Sequence, residues 1–206
     1  MRAIGPGKFQ LGSVTIDKER RTASFPAVVN MNQGPMEYFL VSNYGKVHES
    51  VFRTEATPEH VHVAMLLLDV KAAETPATKR KPVSANVEKP SSEILPGAKI
   101  QIEVSWTLAG KETQKSAEEL FGNVEDNKRT EKGKWVYNGS EMIEGYFQAQ
   151  ATGSIVSLIT DPQALANSIA KGHDNDKIWE ANAEILPPVN TPVRVTLRLD
   201  DSKGRK

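Results

Sequence analysis

Two stretches of the chain alternate apolar with polar residues, and this period of two restricts the possible folds more than any other feature. The apolar positions are Ile100, Ile102, Val104 and Trp106 in residues 98–106, and Val193, Val195, Leu197 and Leu199 in residues 193–199. Because successive side chains of a strand point to opposite faces of a sheet, each stretch predicts a half-buried β-strand. The fold therefore needs a sheet with an apolar face.

The N-terminal region predicts a β-hairpin. Residues 9–16 and 22–29 have alternating faces and flank the polar connection at residues 17–21. Pro26 lacks the N–H group that a strand ladder uses, so we expect a bulge or a sheet edge at this position.

A second strand pair is predicted from residues 37–42 and 46–53, which surround a turn at residues 43–45. A meander is the simplest topology for these four strands. Shorter strands are predicted later in the chain, at residues 135–137, 145–151 and 155–159.

Between these strand signals the period changes, and residues 58–69 predict a helix. Thr57 is suited to the N-cap, Pro58 to the first helical position, and the carboxylate of Glu59 complements the positive helix end. Apolar residues then cover nearly every face, which predicts a helix buried at the centre of the core. The residues expected in that core include Leu66 and Leu67.

Two shorter helices complete the prediction. Ser116 and Glu119 have the spacing of a capping box, and a second short helix is expected between Asp161 and Gly172. The predicted fold class is α+β, mostly β, with antiparallel strands, one buried central helix and one or two short helices. We expect a single domain over residues 1–206, with a flexible insertion at about residues 71–96, where Pro, Lys, Ser and Thr replace the apolar periodicity.

Charge and cysteine content exclude several classes of function. Lys and Arg together number 26, as do Asp and Glu, so no net charge favours binding to nucleic acid. The chain contains no cysteine, which excludes disulfides, thiolate nucleophiles and conventional iron–sulfur clusters. No apolar run approaches the roughly 20 residues of a transmembrane helix. We predict no cofactor and no bound metal.

Three of the four histidines lie within residues 44–68, which makes this segment the candidate site. In an extended strand His48 and Ser50 share one face with their Cα atoms about 7 Å apart, so they are neighbours but not a formed catalytic dyad. In a helix His60 and His62 diverge by roughly 200°, which disfavours a shared metal. A mixed metal site of His48, one other histidine and a carboxylate stays open as an alternative.

We therefore place the candidate site at the corner between the strand that ends near residue 53 and the helix that begins at Pro58. Its residues form either a binding site or a polar network that satisfies buried groups at a tight turn. They are His48, Glu49, Ser50, Thr54, Glu55, His60 and His62.

The same region carries a family resemblance. Residues 28–31 (Val-Val-Asn-Met), 44–50 (Tyr-Gly-Lys-Val-His-Glu-Ser), 56–58 with 62–68, and 153–165 resemble the YdjY-like family of bacterial domains. The resemblance spans most of the chain, and the Gly-Lys-Val-His-Glu-Ser core is its most specific part. It implies an exported, cell-envelope protein, periplasmic or secreted, without an assigned activity.

The predicted function is a non-enzymatic envelope binding or accessory module, whose partner is a small molecule or an envelope protein. The alternative is a hydrolase or metal-dependent activity centred on His48. A ferredoxin-like label that some relatives carry does not suit this sequence, because the chain has no cysteine to ligate a cluster.

Overall fold

The structure is a computed structural model that describes residues 1–70, 91–125, 128–129 and 131–200. Strands dominate these residues. In chain order they are β1 (Arg2–Gly5), β2 (Lys8–Leu11), β3 (Val14–Asp17), β4 (Thr22–Val29), β5 (Tyr38–Ser42), β6 (Ser50–Thr54), β7 (Ala98–Leu108), β8 (Lys111–Ser116), β9 (Phe121–Asn123), β10 (Lys128–Arg129), β11 (Trp135–Tyr137), β12 (Met142–Ile143), β13 (Tyr146–Phe147), β14 (Ser154–Ser157), β15 (Ala166–Ser168), β16 (Trp179–Ala181) and β17 (Pro192–Leu199). Two α-helices, α1 (Pro58–Leu67) and α2 (Gln148–Thr152), and the 3₁₀ turns Val47–Glu49 and Ala117–Glu119 lie between them.

Within the described residues, eight strands close into a barrel in the order β4, β17, β7, β11, β15, β14, β5 and β6. The barrel closes where β6 returns to β4, through the pairs Val28 with Arg53 and Val29 with Phe52. Strand β6 covers only the C-terminal part of this edge of β4. The N-terminal part of the same edge pairs with β3, from which the β1–β2–β3 hairpins extend the sheet outward. Pro26 lies where the partner of β4 changes from β3 to β6, so a residue without an N–H group occupies the junction of two ladders.

The two alternating stretches of the sequence form β7 and β17, which are half-buried strands, as predicted. Ile100, Ile102 and Val104 of β7 are buried, and so are Val195 and Leu197 of β17, whereas the intervening residues are exposed or half-buried. These inward-facing side chains fill the barrel together with the buried residues of β4. The Ser116 capping box is also confirmed, although the segment that it begins is a single 3₁₀ turn.

The predicted pairing of residues 37–42 with residues 46–53 is correct, but the expected meander, in which a turn joins two antiparallel strands, is wrong. Residues 47–49 form a 3₁₀ turn, so the second strand begins only at Ser50. Because the chain folds back along β5 before β6 starts, the two strands are parallel, with Tyr38 beside Ser50 and Ser42 beside Thr54. A hairpin would have made them antiparallel.

The predicted α+β fold with a buried central helix is wrong, because the chain is mostly β, with 43% in strands and 12% in helices. Thr57 does cap α1, and its hydroxyl accepts a hydrogen bond from the His60 backbone N–H. The helix, however, lies over one end of the barrel, against β3, β4 and α2. Strand side chains already fill the interior, so only one stripe of α1 is buried, namely Pro58, Val61, Ala64 and Met65. Leu66 is 45% exposed.

Three other predicted segments differ from the structure. Residues 9–16 form two strands, β2 and β3, because the chain turns at Gly12, whose φ is +56°. Residues 145–151 were expected as one strand but end the β12–β13 hairpin and begin α2. The helix expected between Asp161 and Gly172 is instead a turn followed by β15.

Part of the predicted insertion lies outside the described residues, namely residues 71–90. Residues 91–96 of that insertion form neither helix nor strand. Across the described part of the chain, no helix has both the length and the apolar character needed to cross a membrane.

Candidate functional site

The seven residues that the sequence singled out do not converge on one point. His48 lies on the 3₁₀ turn before β6, its side chain is 77% exposed, and its Nε2 is 3.7 Å from a carboxylate oxygen of Glu49. Glu49 also lies 3.4 Å from the Nζ atom of Lys46. These two predicted residues therefore belong to an exposed charged ridge at the start of β6, whereas α1 follows the other end of that strand.

Two of the other predicted residues, Ser50 and Thr54, have structural roles on β6. Ser50 is fully buried, and its hydroxyl donates to the carbonyl of Phe52 at 2.8 Å. Thr54 donates to the carbonyl of Pro26 at 2.6 Å and accepts from the N–H of Ala56 at 3.0 Å. Glu55 is exposed. The Ser50 hydroxyl is thus committed to a backbone carbonyl, and no hydrogen bond joins it to His48 within the described residues.

The two helical histidines point to different neighbours. The ring of His60 packs so closely on Gly12 that a Cβ atom at residue 12 would overlap it. His62 faces the opposite way, and its Nδ1 shares a hydrogen bond with the Tyr137 hydroxyl at 2.8 Å. Within the described residues, no group of three or more histidine, aspartate or glutamate side chains is arranged to hold a metal ion.

A polar chain continues inward from the His48 ridge. The Tyr38 hydroxyl donates to a carboxylate oxygen of Asp161 at 3.0 Å and accepts from Lys46 Nζ at 3.1 Å. Burial raises the pKa of the Asp161 carboxyl above its usual range. Burial, followed by the nearby charge of Glu49, raises the pKa of Glu37 in the same way. This chain ties β5 to the segment after β14, so it has a structural role.

A groove of about 410 Å³ lies on the outer side of α1, between that helix and the segment that contains the β12–β13 hairpin and α2. We call it the helix–hairpin groove. Its volume falls in the range of small-ligand sites. Its lining residues are Glu59, His62, Val63, Gly139, Ser140, Glu141, Met142, Phe147 and Gln150.

His62 forms the polar centre of the groove wall. Its ring stacks on Tyr137 with an interplanar angle of 13° and lies 5.0 Å from the ring centroid of Phe147. Burial lowers the pKa of His62, so the imidazole is neutral near pH 7. Because Nδ1 is engaged by the fully buried Tyr137, Nε2 is the ring nitrogen left to bond with a ligand.

Side-chain hydrogen bonds hold the opposite wall. The Ser140 hydroxyl donates to the Gln163 carbonyl at 2.6 Å and accepts from the N–H of Ala149 at the start of α2. Next to it, the Asn138 amide donates to the Ala164 carbonyl and accepts from Asn167. The Gln150 side-chain oxygen accepts from the backbone N–H of Glu59, which connects α2 to the first turn of α1. The groove is therefore preformed.

The tip of the groove exposes large apolar side chains. Met142 is 51% exposed, and Tyr146, which pairs with Ile143 across the hairpin, is 70% exposed. Leu66 lies on the same face of α1 as His62 and Val63, because three or four residues separate it from each of them. These side chains extend the apolar surface beyond the groove.

Sequence reasoning found His62 but none of the residues that surround it. Tyr137 is 75 positions away from His62, and only closure of the barrel brings the two together. One signal in the sequence could have indicated this region. Residues 54–70 and 137–170 contain neither lysine nor arginine, although the chain has 26 such residues among 206.

Comparison with known proteins adds one finding. The family model of the YdjY domain matches residues 14–198, which covers most of the chain. The match includes the whole barrel apart from Leu199, together with α1, α2 and the helix–hairpin groove. Searches of curated proteins and of solved structures find no match.

Proposed function

This chain belongs to the YdjY domain family, and we propose that it is a non-enzymatic binding module whose ligand site is the helix–hairpin groove. The observation that carries the proposal is the position of His62. A neutral imidazole with one nitrogen held by buried Tyr137 presents its other nitrogen in a preformed, largely apolar groove. Ligand sites are typically apolar concavities that contain a small number of fixed polar groups.

The groove chemistry favours binding over catalysis. A serine nucleophile needs a hydroxyl that a base can deprotonate. The hydroxyl of the groove serine, Ser140, instead donates to the Gln163 carbonyl and accepts from the Ala149 N–H. His62 shares its hydrogen bond with a phenol whose pKa is raised by burial, rather than with a carboxylate that would stabilise imidazolium. The hydrolase or metal-dependent alternative centred on His48 stays a prediction. The fragment screen described below includes His48→Ala and so addresses this alternative as well.

We also propose a cell-envelope location, periplasmic or secreted. The support is the family resemblance of the sequence, which implies an exported protein. Fractionation of cells that express the full-length gene tests this location, and a purely cytoplasmic signal would contradict it.

A small-fragment screen tests the groove. The chain is screened by ligand-observed NMR and by thermal shift, alongside His62→Ala and the exposed control His48→Ala. We expect fragment hits that compete with one another, raise Tm, and lose at least tenfold in affinity in His62→Ala but not in His48→Ala. Hits that depend on His48 instead, or ester hydrolysis lost in His48→Ala, would contradict the binding proposal and favour the alternative.

A further inference from the structure

We infer that the natural occupant of the helix–hairpin groove is a segment of a partner protein that carries a lysine or arginine next to large apolar side chains. The inference rests on the proposed function, because it assumes that the groove is the binding site. It adds the chemical class and the charge of the occupant.

The charge of the groove is the first argument. Its charged lining residues are Glu59 and Glu141, and the lining includes no lysine or arginine. At the overall frequency of basic residues, the two segments at residues 54–70 and 137–170 would contain about six of them, but they contain none. The same segments hold six acidic residues, and two of these, Glu59 and Glu141, line the groove, so its charged side chains are acidic in a chain that is neutral overall.

The described lining of the groove contains no lysine or arginine, and this bears on how Glu59 is used. Glu59 is exposed in the first turn of α1, and the backbone N–H of the same residue is bound by Gln150. His62 is held neutral by burial and so adds no positive charge that would compete for Glu59. A cationic side chain that enters the groove would therefore meet negative charge and an imidazole ring that carries no charge of its own.

The apolar surface around the groove is the second argument, and it favours a peptide over a small amine. Leu66, Met142, Ile143 and Tyr146 are each at least 43% exposed. A ligand that fills only 410 Å³ would leave most of this surface in water. A peptide that places its cation near Glu59 can cover Met142 and Tyr146 with neighbouring side chains, and methionine and tyrosine are enriched at protein interfaces.

Protonation of His62 should weaken this binding. The titratable groups that line the groove with the imidazole are Glu59 on α1 and Glu141 on the opposite wall, and the phenol of Tyr137 bonds to the ring. Imidazolium would add a positive charge to the groove and repel a cationic ligand. Affinity should therefore fall as pH decreases below neutrality.

The test is selection from a random heptapeptide phage library on the full chain. Selection runs in parallel on Glu59→Gln/Glu141→Gln, which removes the groove charge without changing its shape, and on the matched control Glu112→Gln/Glu184→Gln, whose residues are exposed elsewhere. A recovered peptide is then synthesised, with its basic residue unchanged or replaced by norleucine. Its affinity is measured by fluorescence polarisation, with phenethylamine as a competitor.

We expect the recovered peptides to carry lysine or arginine beside leucine, phenylalanine or methionine. Affinity should fall at least tenfold with norleucine and with Glu59→Gln/Glu141→Gln, and stay within twofold in the control. It should also fall at least tenfold in Val63→Arg, which puts a cation into the groove. Circular dichroism and Tm establish that each variant is folded.

The outcomes separate this inference from the proposed function. Acidic or neutral peptides that lose binding in Val63→Arg would overturn the cationic occupant and leave the groove as the site. Phenethylamine that displaces the peptide at equal affinity would overturn the peptide class. If no peptide is recovered, or if binding is indifferent to Val63→Arg, the inference fails. Fragment hits that remain sensitive to His62→Ala would still support the groove as the site, whereas their absence would remove the proposed function as well.

Discussion

The two halves of the barrel are built differently. One half consists of the long strands β4, β17 and β7, whose antiparallel register runs without interruption from Thr22 opposite Arg198 to Val28 opposite Pro192. The other half consists of the short strands β11, β15, β14, β5 and β6, includes two parallel pairs, and has register shifts between β14 and β5. The helix–hairpin groove borders the short-strand half. Regular backbone ladders thus support the scaffold, and the irregular half leaves room for a site.

Side chains replace missing ladder bonds in the short-strand half. The Asn167 amide donates to Asn138 and to the Asp161 carbonyl, and its oxygen accepts from the Asp161 N–H. Asn138 in turn donates to the Ala164 carbonyl. Because Asn138 and Asn167 are almost fully buried, these bonds satisfy backbone groups that water cannot reach. The two halves therefore depend on different interactions, and substitutions can separate them.

The largest effect is expected in the long-strand half. Phe25 on β4 is fully buried, so Phe25→Ala should lower the free energy of unfolding by about 3–5 kcal/mol. Ser24→Ala, on the opposite face of the same strand, is the control and should cost less than about 1 kcal/mol. Urea denaturation measures both. A loss below about 1 kcal/mol for Phe25→Ala would mean that core packing in this half contributes little to the stability of the barrel.

A smaller effect is expected for the asparagine network. Asn167→Ala leaves the Asp161 backbone groups and the Asn138 oxygen without their partner, and should cost about 2–3 kcal/mol. Asn175→Ala, which removes one exposed side-chain bond to the Lys177 N–H, is the control. Hydrogen exchange should accelerate in β14 and β15 and stay unchanged in β17. Equal acceleration in both halves would remove the distinction between them.

The same difference explains what the sequence could predict. The strands β7 and β17 each have one face in the core and the other in contact with water, so their apolar residues alternate and the pattern is readable. Strands β5 and β14 are buried on both faces, so they show no period, and nothing local indicates that β5 and β6 are parallel. The predicted central helix failed for a related reason. A continuous apolar run suggested burial on every side, whereas the closed barrel offers α1 only one end to cover.

The candidate site was predictable only in part. The density of histidines singled out the segment that contains His62, but it also included His48 and Ser50, which the structure separates into an exposed ridge and a buried backbone contact. The partners of His62 come from β11 and the β12–β13 hairpin, and long-range closure rather than local pattern brings them to α1. The Tyr137 contact therefore required the structure.

Acidification should lower the free energy of unfolding through His62, which lies in the groove wall. Burial lowers the pKa of His62 in the folded chain, whereas the unfolded chain titrates near the ordinary value of about 6.5. The unfolded state then binds the proton more readily, so this contribution to stability is complete above about pH 6.5 and is lost as pH falls below it. The raised pKa values of Glu37 and Asp161 act in the opposite direction, but they are common to wild type and variant.

The measurement is the difference in free energy of unfolding between the wild type and His62→Gln, taken from pH 8 to pH 5. That difference should shrink with acidification, and His48→Gln, at an exposed residue outside the groove, is measured alongside as the control variant. A difference that grows toward pH 5 would mean that His62 is stabilised as imidazolium, which would contradict its role as a neutral groove residue.

The smallest effect on stability is expected at Leu66, which tests whether the outer face of α1 belongs to the scaffold or to the site. Leu66 is 45% exposed whereas its neighbour Met65 is fully buried against the end of the barrel. Met65→Ala should therefore cost about 2–5 kcal/mol, and Leu66→Ala less than about 1 kcal/mol. If the exposed apolar side chains beside the groove bind a partner, Leu66→Ala should still weaken peptide affinity by severalfold while the urea midpoint stays nearly unchanged. A loss above about 2 kcal/mol at Leu66 would instead place this side chain in the core, and the distinction between a scaffold face and a binding face of α1 would fail.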